Sequence, residues 1–225
     1  MSARINHVAI ISHQYAMLGR FYGVLFGMQP APDSPLNASI SYGDGNIGMQ
    51  MLVRRDGYIG GIDHFGMLVD DLAEVERRVQ RYAGSSMVQR PSSRPFAAYS
   101  ANDPDGNHFD LAQAEDDTRK EIYAKGTWEQ PRTINKFAIR TPNADRVADF
   151  YAEVFELTPL PNAREEGTHY LSDVAKLAGA NPYLAPVPLG GSPESDVRKR
   201  FFEEHATGKY QMADPDGVWI DITDE

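Results

Sequence analysis

The chain has 225 residues, a formal net charge of −10 and no cysteine. This length suffices for one large domain or two small ones, and the acidic balance disfavours nucleic acid as a partner because phosphate backbones are repelled. The absence of cysteine excludes disulfides, thiolate nucleophiles and iron–sulfur clusters, so any metal must be bound by carboxylates and the six histidines. No apolar run is long enough to span a bilayer and the N-terminus lacks a signal-peptide pattern, so we expect a cytoplasmic protein without a membrane partner.

The first predicted elements are a strand and a helix. The strand is INHVAI (5–10), and YAMLGRFYGVLFG (15–27) follows as an amphipathic helix that Gly27 can end. Its apolar positions recur at i, i+3, i+4, i+7 and i+8, which is the spacing of one helix face. They are Leu18, Phe21, Tyr22, Leu25 and Phe26. The next stretch, 37–53, suits a hairpin around a glycine-containing turn.

The same order of elements returns from residue 62. IDHFGMLV (62–69) resembles the first strand, and Asp70 or Asp71 can cap the helix that follows. A second hairpin is predicted over 96–112, because Asp-Pro-Asp-Gly is a strong turn sequence and alternating apolar residues follow it. Two βαβββ modules therefore fill residues 5–113.

The C-terminal part repeats this pattern in shortened form. INKFAIR (134–140) and the helix over 144–157 lie 129 residues after their first counterparts, whereas DPDGVWIDI (214–222) lies 111 after DPDGNHFDL. The apolar positions of the helix are Val147, Phe150, Tyr151, Val154 and Phe155. The second copy is thus about 18 residues shorter, and the helical stretch 193–206 is interpreted as the remainder of its middle.

We therefore predict an α+β fold in which repeated βαβββ modules form a cupped, barrel-like mixed sheet with helices outside. Residues 1–113 are predicted to form a complete two-module domain and 134–225 a degenerate, shortened one. The charged stretch 114–133 lacks a clear period and is predicted to be a linker.

Three strands carry candidate metal ligands. Alternate side chains of a strand share a face, so His7 is expected beside Ile5 and Ala9, and Asp110 beside His108. If the bulky apolar residues pack under the helices, His7, His64 and Asp110 point into one cavity. Two imidazoles and one carboxylate form a facial triad that suits Fe(II), Mn(II) or Zn(II) and leaves positions open for substrate and O₂.

The HVAI and DHFG strands, the FYGVLFG helix and the DPDGNHFDL ending resemble the vicinal oxygen chelate superfamily. That superfamily includes glyoxalase I, extradiol dioxygenases and bleomycin resistance proteins. The resemblance covers 5–113 well and 134–225 in part, and it implies that His7, His64 and Asp110 are the metal ligands. The family usually has Glu where this chain has Asp110.

The resemblance also implies where other site residues belong. Met49, with Gln50 beside it, stands where glyoxalase-like members carry a fourth ligand. Tyr99 resembles a tyrosine of extradiol enzymes, offset by one residue, whereas Arg94-Pro95-Phe96 stands where a catalytic histidine is expected. His108 or His13 can take over proton transfer. His108 and Tyr99 are the predicted catalytic residues.

We accordingly predict a mononuclear non-haem metalloenzyme, an Fe(II)-dependent extradiol-type dioxygenase acting on a catechol-like or other vicinally oxygenated small molecule. The alternatives are a Mn-, Zn- or Mg-dependent glyoxalase-like isomerase, lyase or hydrolase, and a metal-free protein that sequesters a drug-like molecule.

The second copy has Lys136 at the position of His7, no equivalent of His64, and Asp221 at the position of Asp110. It is predicted to bind no metal, because a lysine ammonium has no lone pair. Its expected role is structural: to cover the cavity of the first domain or to complete a homodimer. His169 and His205 in this copy are expected to have no catalytic role.

Overall fold

The computed structural model describes residues 3–30, 39–43, 48–53, 60–90, 95–117, 134, 136–159, 171–172, 183–188 and 210–222. In the first copy these residues form strands β1 Ala3–Ser12, β2 Gln29–Pro30, β3 Ser39–Gly43, β4 Gly48–Val53, β5 Gly61–Val69, β6 Ser86–Gln89, β7 Tyr99–Asn102 and β8 His108–Gln113. Helices α1 Tyr15–Phe26 and α2 Leu72–Val79 connect them. Among the residues described, no helix is long and apolar enough to cross a membrane.

The first copy forms one eight-stranded mixed sheet with the order β2-β3-β4-β1-β5-β8-β7-β6. The two leading strands, β1 and β5, pair antiparallel at its centre, and each pairs in parallel with the last long strand of its own module, β4 or β8. In the part of the chain that the structure describes, the order runs from β2 to β6 without a closing pair. The predicted α+β fold with a cupped mixed sheet is confirmed, and the sheet is open rather than a closed barrel.

The second copy contains β9 Lys136–Thr141, α3 Ala144–Phe155, β10 Thr158–Pro159, β11 Leu171–Ser172, β12 Tyr183–Pro188, β13 Tyr210–Ala213 and β14 Trp219–Ile222. Its strands form a four-stranded sheet, β10-β11-β12-β9, and a separate β13–β14 hairpin. β9 pairs in parallel with β12 as β1 does with β4. The helix expected over 193–206 and most of the predicted linker lie outside the described residues, so the domain boundaries stay a prediction.

Helix α3 packs its whole predicted face into the core of the first copy. All five apolar residues of that face are buried, and they join a cluster with Phe65 of β5, Phe109 of β8 and Val75 of α2. The C-terminal hairpin makes the converse contact, because Val218 and Ile220 pack against the cluster under α1. Each core is therefore built from both copies.

Helix α1 buries less of its predicted face. Leu18 and Tyr22 are buried against β1 and β4, Phe21 and Phe26 are partly buried, and Leu25 is 42% exposed. The prediction for Leu25 is wrong because α1 carries apolar residues on more sides than the sheet covers. Val24, for example, is also exposed. Periodicity alone could not select the buried side.

Two β-bulges interrupt the central pair of strands. Ile5 is opposite Met67 and His7 is opposite Gly66, which leaves Asn6 as an extra residue in β1. A second register shift leaves Asp63 as the extra residue in β5. The first bulge places Ile5 in the helix-side core with Met67, not on the face of His7 as simple alternation predicts.

Candidate metal centre

The central strands bring His7, His64 and Asp110 together on the face opposite the helices. Gly66 of β5 pairs with His7 on one side and with Asp110 on the other, and His64 pairs with Ala9. One ligand atom from each of the three side chains lies within 4.8 Å of the other two. Three separate strands thus supply one compact group of potential ligands.

The distances within this group suit a small divalent ion. Asp110 Oδ2 lies 3.4 Å from His64 Nε2 and 3.9 Å from His7 Nε2. Bonds of about 2.0–2.2 Å to a shared metal place neighbouring ligand atoms roughly 3.0–3.5 Å apart, so the separation of Asp110 and His64 already fits and His7 must move closer. All three residues are buried, with exposures of 0% for His7, 9% for His64 and 2% for Asp110.

Each bulge residue contacts the histidine that follows it. His7 Nδ1 is 2.9 Å from Asn6 Oδ1, and His64 Nδ1 is 2.6 Å from Asp63 Oδ2. Both oxygens are acceptors, so each Nδ1 donates, and in a neutral ring Nε2 then keeps its lone pair for a metal. The hydrogen bond from His64 lowers the pKa of Asp63 and outweighs the opposing effect of burial.

The glycine after DHF is required by the packing of His7. A Cβ on Gly66 would lie 2.0 Å from His7 Cε1 and 2.6 Å from Asn6 Oδ1. Both distances are far below van der Waals contact, so any side chain at this position would displace the imidazole or its hydrogen-bond partner.

The second oxygen of Asp110 faces a different set of groups. Its Oδ1 lies 2.8 Å from Arg90 Nη2 and 3.4 Å from His108 Nε2. Arg90 Nη2 is also 3.2 Å from Ser100 Oγ, whose hydroxyl is 2.9 Å from His108 Nε2. We call Arg90, Ser100 and His108 the polar cluster. Sequence reasoning missed Arg90 and Ser100; alternation in the second hairpin could have identified Ser100, whereas Arg90 follows β6 without any motif.

The structure brings only one of the two predicted catalytic residues to the site. The His108 ring stacks on His64 with 5.3 Å between centroids, and its side chain is 36% exposed. Tyr99 pairs with Leu111 and packs against the helix-side core. Ser100, which pairs with Asp110, occupies the position on the site's face that we had expected for Tyr99.

The other sequence candidates lie elsewhere. Met49 is 6% exposed in the core under α1, and His13 is exposed in the turn after β1. Phe96 borders the centre, with its ring edge-to-face with His7 at 6.4 Å. Arg94, His169 and His205 fall outside the residues described.

In the second copy, a salt bridge occupies the positions of His7 and Asp110. Lys136 Nζ lies 3.3 Å from Asp221 Oδ2, and both side chains are largely buried. The Lys136 ammonium therefore neutralises the charge of the Asp221 carboxylate at this position. The prediction that this copy binds no metal stays a prediction.

Residues 4–111 match the family described as the Glyoxalase/Bleomycin resistance protein/Dioxygenase superfamily. In a comparison of sequences, no curated protein matches the chain.

Solved structures share the fold along nearly the whole chain. BphC, a halotolerant catechol dioxygenase, has a TM-score of 0.67 at 11% identity, with 98% of this chain and 86% of that chain covered. The 2,3-dioxygenase LapB from Pseudomonas sp. KL28 gives 0.64 at 13% identity, covering 96% and 90%. The Mn(II)-bound glyoxalase from Novosphingobium aromaticivorans gives 0.62 at 14% identity, covering 97% and 80%. At such identities the likeness establishes the fold alone.

Proposed function

We propose that this protein is a mononuclear non-haem metalloenzyme, an Fe(II)-dependent extradiol-type dioxygenase for a catechol-like small molecule with two adjacent oxygens. The observation that carries the proposal is the convergence of His7, His64 and Asp110 on one face of the sheet, with one ligand atom of each within 4.8 Å of the other two. The donor set suits the ion, because two neutral imidazoles and one carboxylate on one side of a metal are the ligands of non-haem Fe(II) oxygenases.

The number of ligands favours this activity over a four-ligand isomerase. The residue at the expected fourth position, Met49, is buried in the apolar core under α1. Among the described side chains, the only group suited to a metal is the one with three members. A three-ligand site leaves enough positions for both substrate oxygens and O₂, and bound iron would supply Lewis acidity to the substrate and activate O₂.

His108 is the residue best placed to move a proton. It lies beside the ligands on their more exposed side, and its Nε2 contacts the Ser100 hydroxyl, which orients the ring. An imidazole at this position can accept the proton of a substrate hydroxyl and later return it to product. Phe96 supplies an apolar wall against His7 and helps to keep water from the ligands.

Metal analysis of protein purified without a histidine tag tests the proposal. We expect close to one equivalent of iron, lost in the His7→Ala, His64→Ala and Asp110→Asn variants and retained in His13→Ala, which removes an exposed histidine. Manganese or zinc without oxygen uptake would instead support an isomerase, lyase or hydrolase. Failure to bind any divalent metal would overturn the enzyme proposal and favour a metal-free binding protein.

Oxygen uptake with a panel of catechols tests the reaction and the role of His108. We expect iron-loaded wild-type protein to consume oxygen with at least one catechol. His108→Gln should lower kcat by about 10²–10⁴-fold with the iron content unchanged. Tyr99→Phe is the matched control and should retain activity, because Tyr99 packs on the helix side of the sheet. Equal losses of kcat in His108→Gln and Tyr99→Phe would contradict the assignment of proton transfer to His108.

A further inference from the structure

We propose that Arg90 is a positioning residue that makes Asp110 a one-oxygen metal ligand, an inference that rests on the metal site proposed above. The two oxygens of Asp110 have separate surroundings. Oδ2 lies near His7 and His64, whereas Oδ1 lies 2.8 Å from Arg90 Nη2. A carboxylate can bind a metal through one oxygen or two, and here the guanidinium occupies the outer oxygen.

The Asp110 carboxylate is buried, and the Arg90 guanidinium lies beside it. The Asp110 side chain is only 3% exposed, and that of Arg90 is 24% exposed. Burying a carboxylate away from water costs free energy unless a cation lies beside it. The N–H groups of Arg90 are not aligned with Oδ1, so the contact is an ion pair without a hydrogen bond. Before any metal enters, Arg90 therefore keeps Asp110 turned with Oδ2 toward the histidines.

The surrounding strands hold the guanidinium in place. The backbone N–H of Arg90 donates to the carbonyl of Ala98 over 2.7 Å, which ties the end of β6 to the start of β7. Its Nη2 is also 3.2 Å from both Ser100 Oγ and His108 Nε2. Three contacts converge on one nitrogen, so Arg90 cannot leave Oδ1 without disturbing the whole polar cluster.

The chemical consequence is one additional open position. An aspartate bound through both oxygens would occupy two metal positions, and one bound through Oδ2 occupies one. The arginine thereby preserves room for a substrate that binds through two oxygens. A lysine would keep the charge but would replace the planar guanidinium with a single ammonium on a flexible stem.

The test compares wild type with Arg90→Met, Arg90→Lys and the control Arg77→Met. The control removes a surface arginine that pairs with Glu74 on α2. Mn(II) is titrated calorimetrically, and X-ray absorption at the manganese edge counts the oxygen neighbours. We expect Mn(II) bound to Arg90→Met to gain one carboxylate oxygen neighbour relative to wild type, because Oδ1 of Asp110 is then free to bind it. The gain in carboxylate oxygen should be smaller in Arg90→Lys than in Arg90→Met. Arg77→Met should have the same oxygen neighbours as wild type.

Circular dichroism and the denaturation midpoint of each variant establish that it is folded. An unchanged set of oxygen neighbours around Mn(II) in folded Arg90→Met would overturn the positioning role while leaving the metal site intact. Wild-type protein that binds no Mn(II), Fe(II) or Zn(II) would overturn the proposed function and this inference together. The two failures are therefore distinguishable.

Discussion

The hydroxyl of Tyr151 on α3 donates a hydrogen bond to Asp103 Oδ2 across 3.3 Å in the buried core. The reciprocal contact joins Tyr22 on α1 to Asp214 Oδ2 across 3.0 Å. Each tyrosine belongs to one copy of the repeat, and each aspartate begins the Asp-Pro-Asp-Gly turn of the other. The copies are therefore joined twice by the same pair of residue types, in opposite directions.

This reciprocity predicts that the described parts of both copies unfold together. Tyr22→Phe and Tyr151→Phe should each lower the free energy of unfolding by about 1–3 kcal/mol, because a buried carboxylate loses a donor. Calorimetry should show one transition with equal calorimetric and van't Hoff enthalpies. Two separate transitions, with each substitution affecting only one of them, would contradict the prediction.

The aspartate of the first turn also predicts a dependence of stability on pH. Burial raises the pKa of Asp103 above its ordinary value of 3.8, although several hydrogen bonds oppose the shift. The folded protein thus holds this proton more tightly than the unfolded chain. The stability contributed by Asp103 is present below the ordinary pKa and is lost as pH rises through the raised one.

The comparison that isolates this effect is the Asp103→Asn variant, which cannot ionise. Denaturant unfolding should show that wild type loses stability relative to this variant as pH rises above about 4. A difference that is constant with pH would show that the hydrogen bonds to Asp103 balance its burial, and one that grows in favour of wild type would show that they outweigh it; either result would contradict the prediction.

A single methyl group is expected to disable the candidate metal centre. Gly66→Ala would place a Cβ 2.0 Å from His7 Cε1, so the imidazole must leave its position. We expect this variant to lose metal binding and to unfold at lower denaturant concentration. Gly60→Ala is the matched control, because its Cβ would meet only the Ile11 carbonyl at an ordinary 3.5 Å. Normal metal content in folded Gly66→Ala would contradict the role of the glycine.

The bulge residues predict a graded effect on metal affinity. Asn6→Ala and Asp63→Ala each remove the acceptor of a histidine Nδ1–H, so the ring can rotate or change tautomer. Each variant should bind Mn(II) about 10- to 100-fold more weakly than wild type in calorimetric titration. Asn102→Ala, on β7, is the control. Equal affinities in all four proteins would show that the strands alone fix the two imidazoles.

The sequence was sufficient to predict the repeat, the leading strands and the shared face of His7, His64 and Asp110. Alternation along each strand is a local property, and the apolar side packs on helices as expected. The sequence could not locate the bulge at Asn6, because one extra residue in a strand does not change the composition noticeably. The resemblance to extradiol enzymes made Tyr99 a catalytic candidate, whereas the strand register pairs Tyr99 with Leu111 and puts Ser100 opposite Asp110.

Long-range contacts explain the remaining differences. Arg90 reaches Asp110 only because β6 returns beside β7, and no spacing in the sequence encodes that approach. The apolar face of α3 was recognised from its period, but its partners lie on Phe65 and Phe109 of the other copy. Periodicity indicates that a helix face is buried, but it does not indicate which residues cover that face.

The bulges have a consequence for how such a chain can change. Asn6 and His7 together oppose the single residue Gly66. Ile5 and His7 therefore lie on opposite faces of the sheet, as they would in a straight strand that lacked Asn6. One added codon therefore supplies a hydrogen-bond acceptor beside a histidine while every neighbour keeps its side of the sheet. The same holds for Asp63. The bulged β1–β5 pair therefore differs from a regular pair of strands by two single-residue insertions, and the core does not have to be rebuilt.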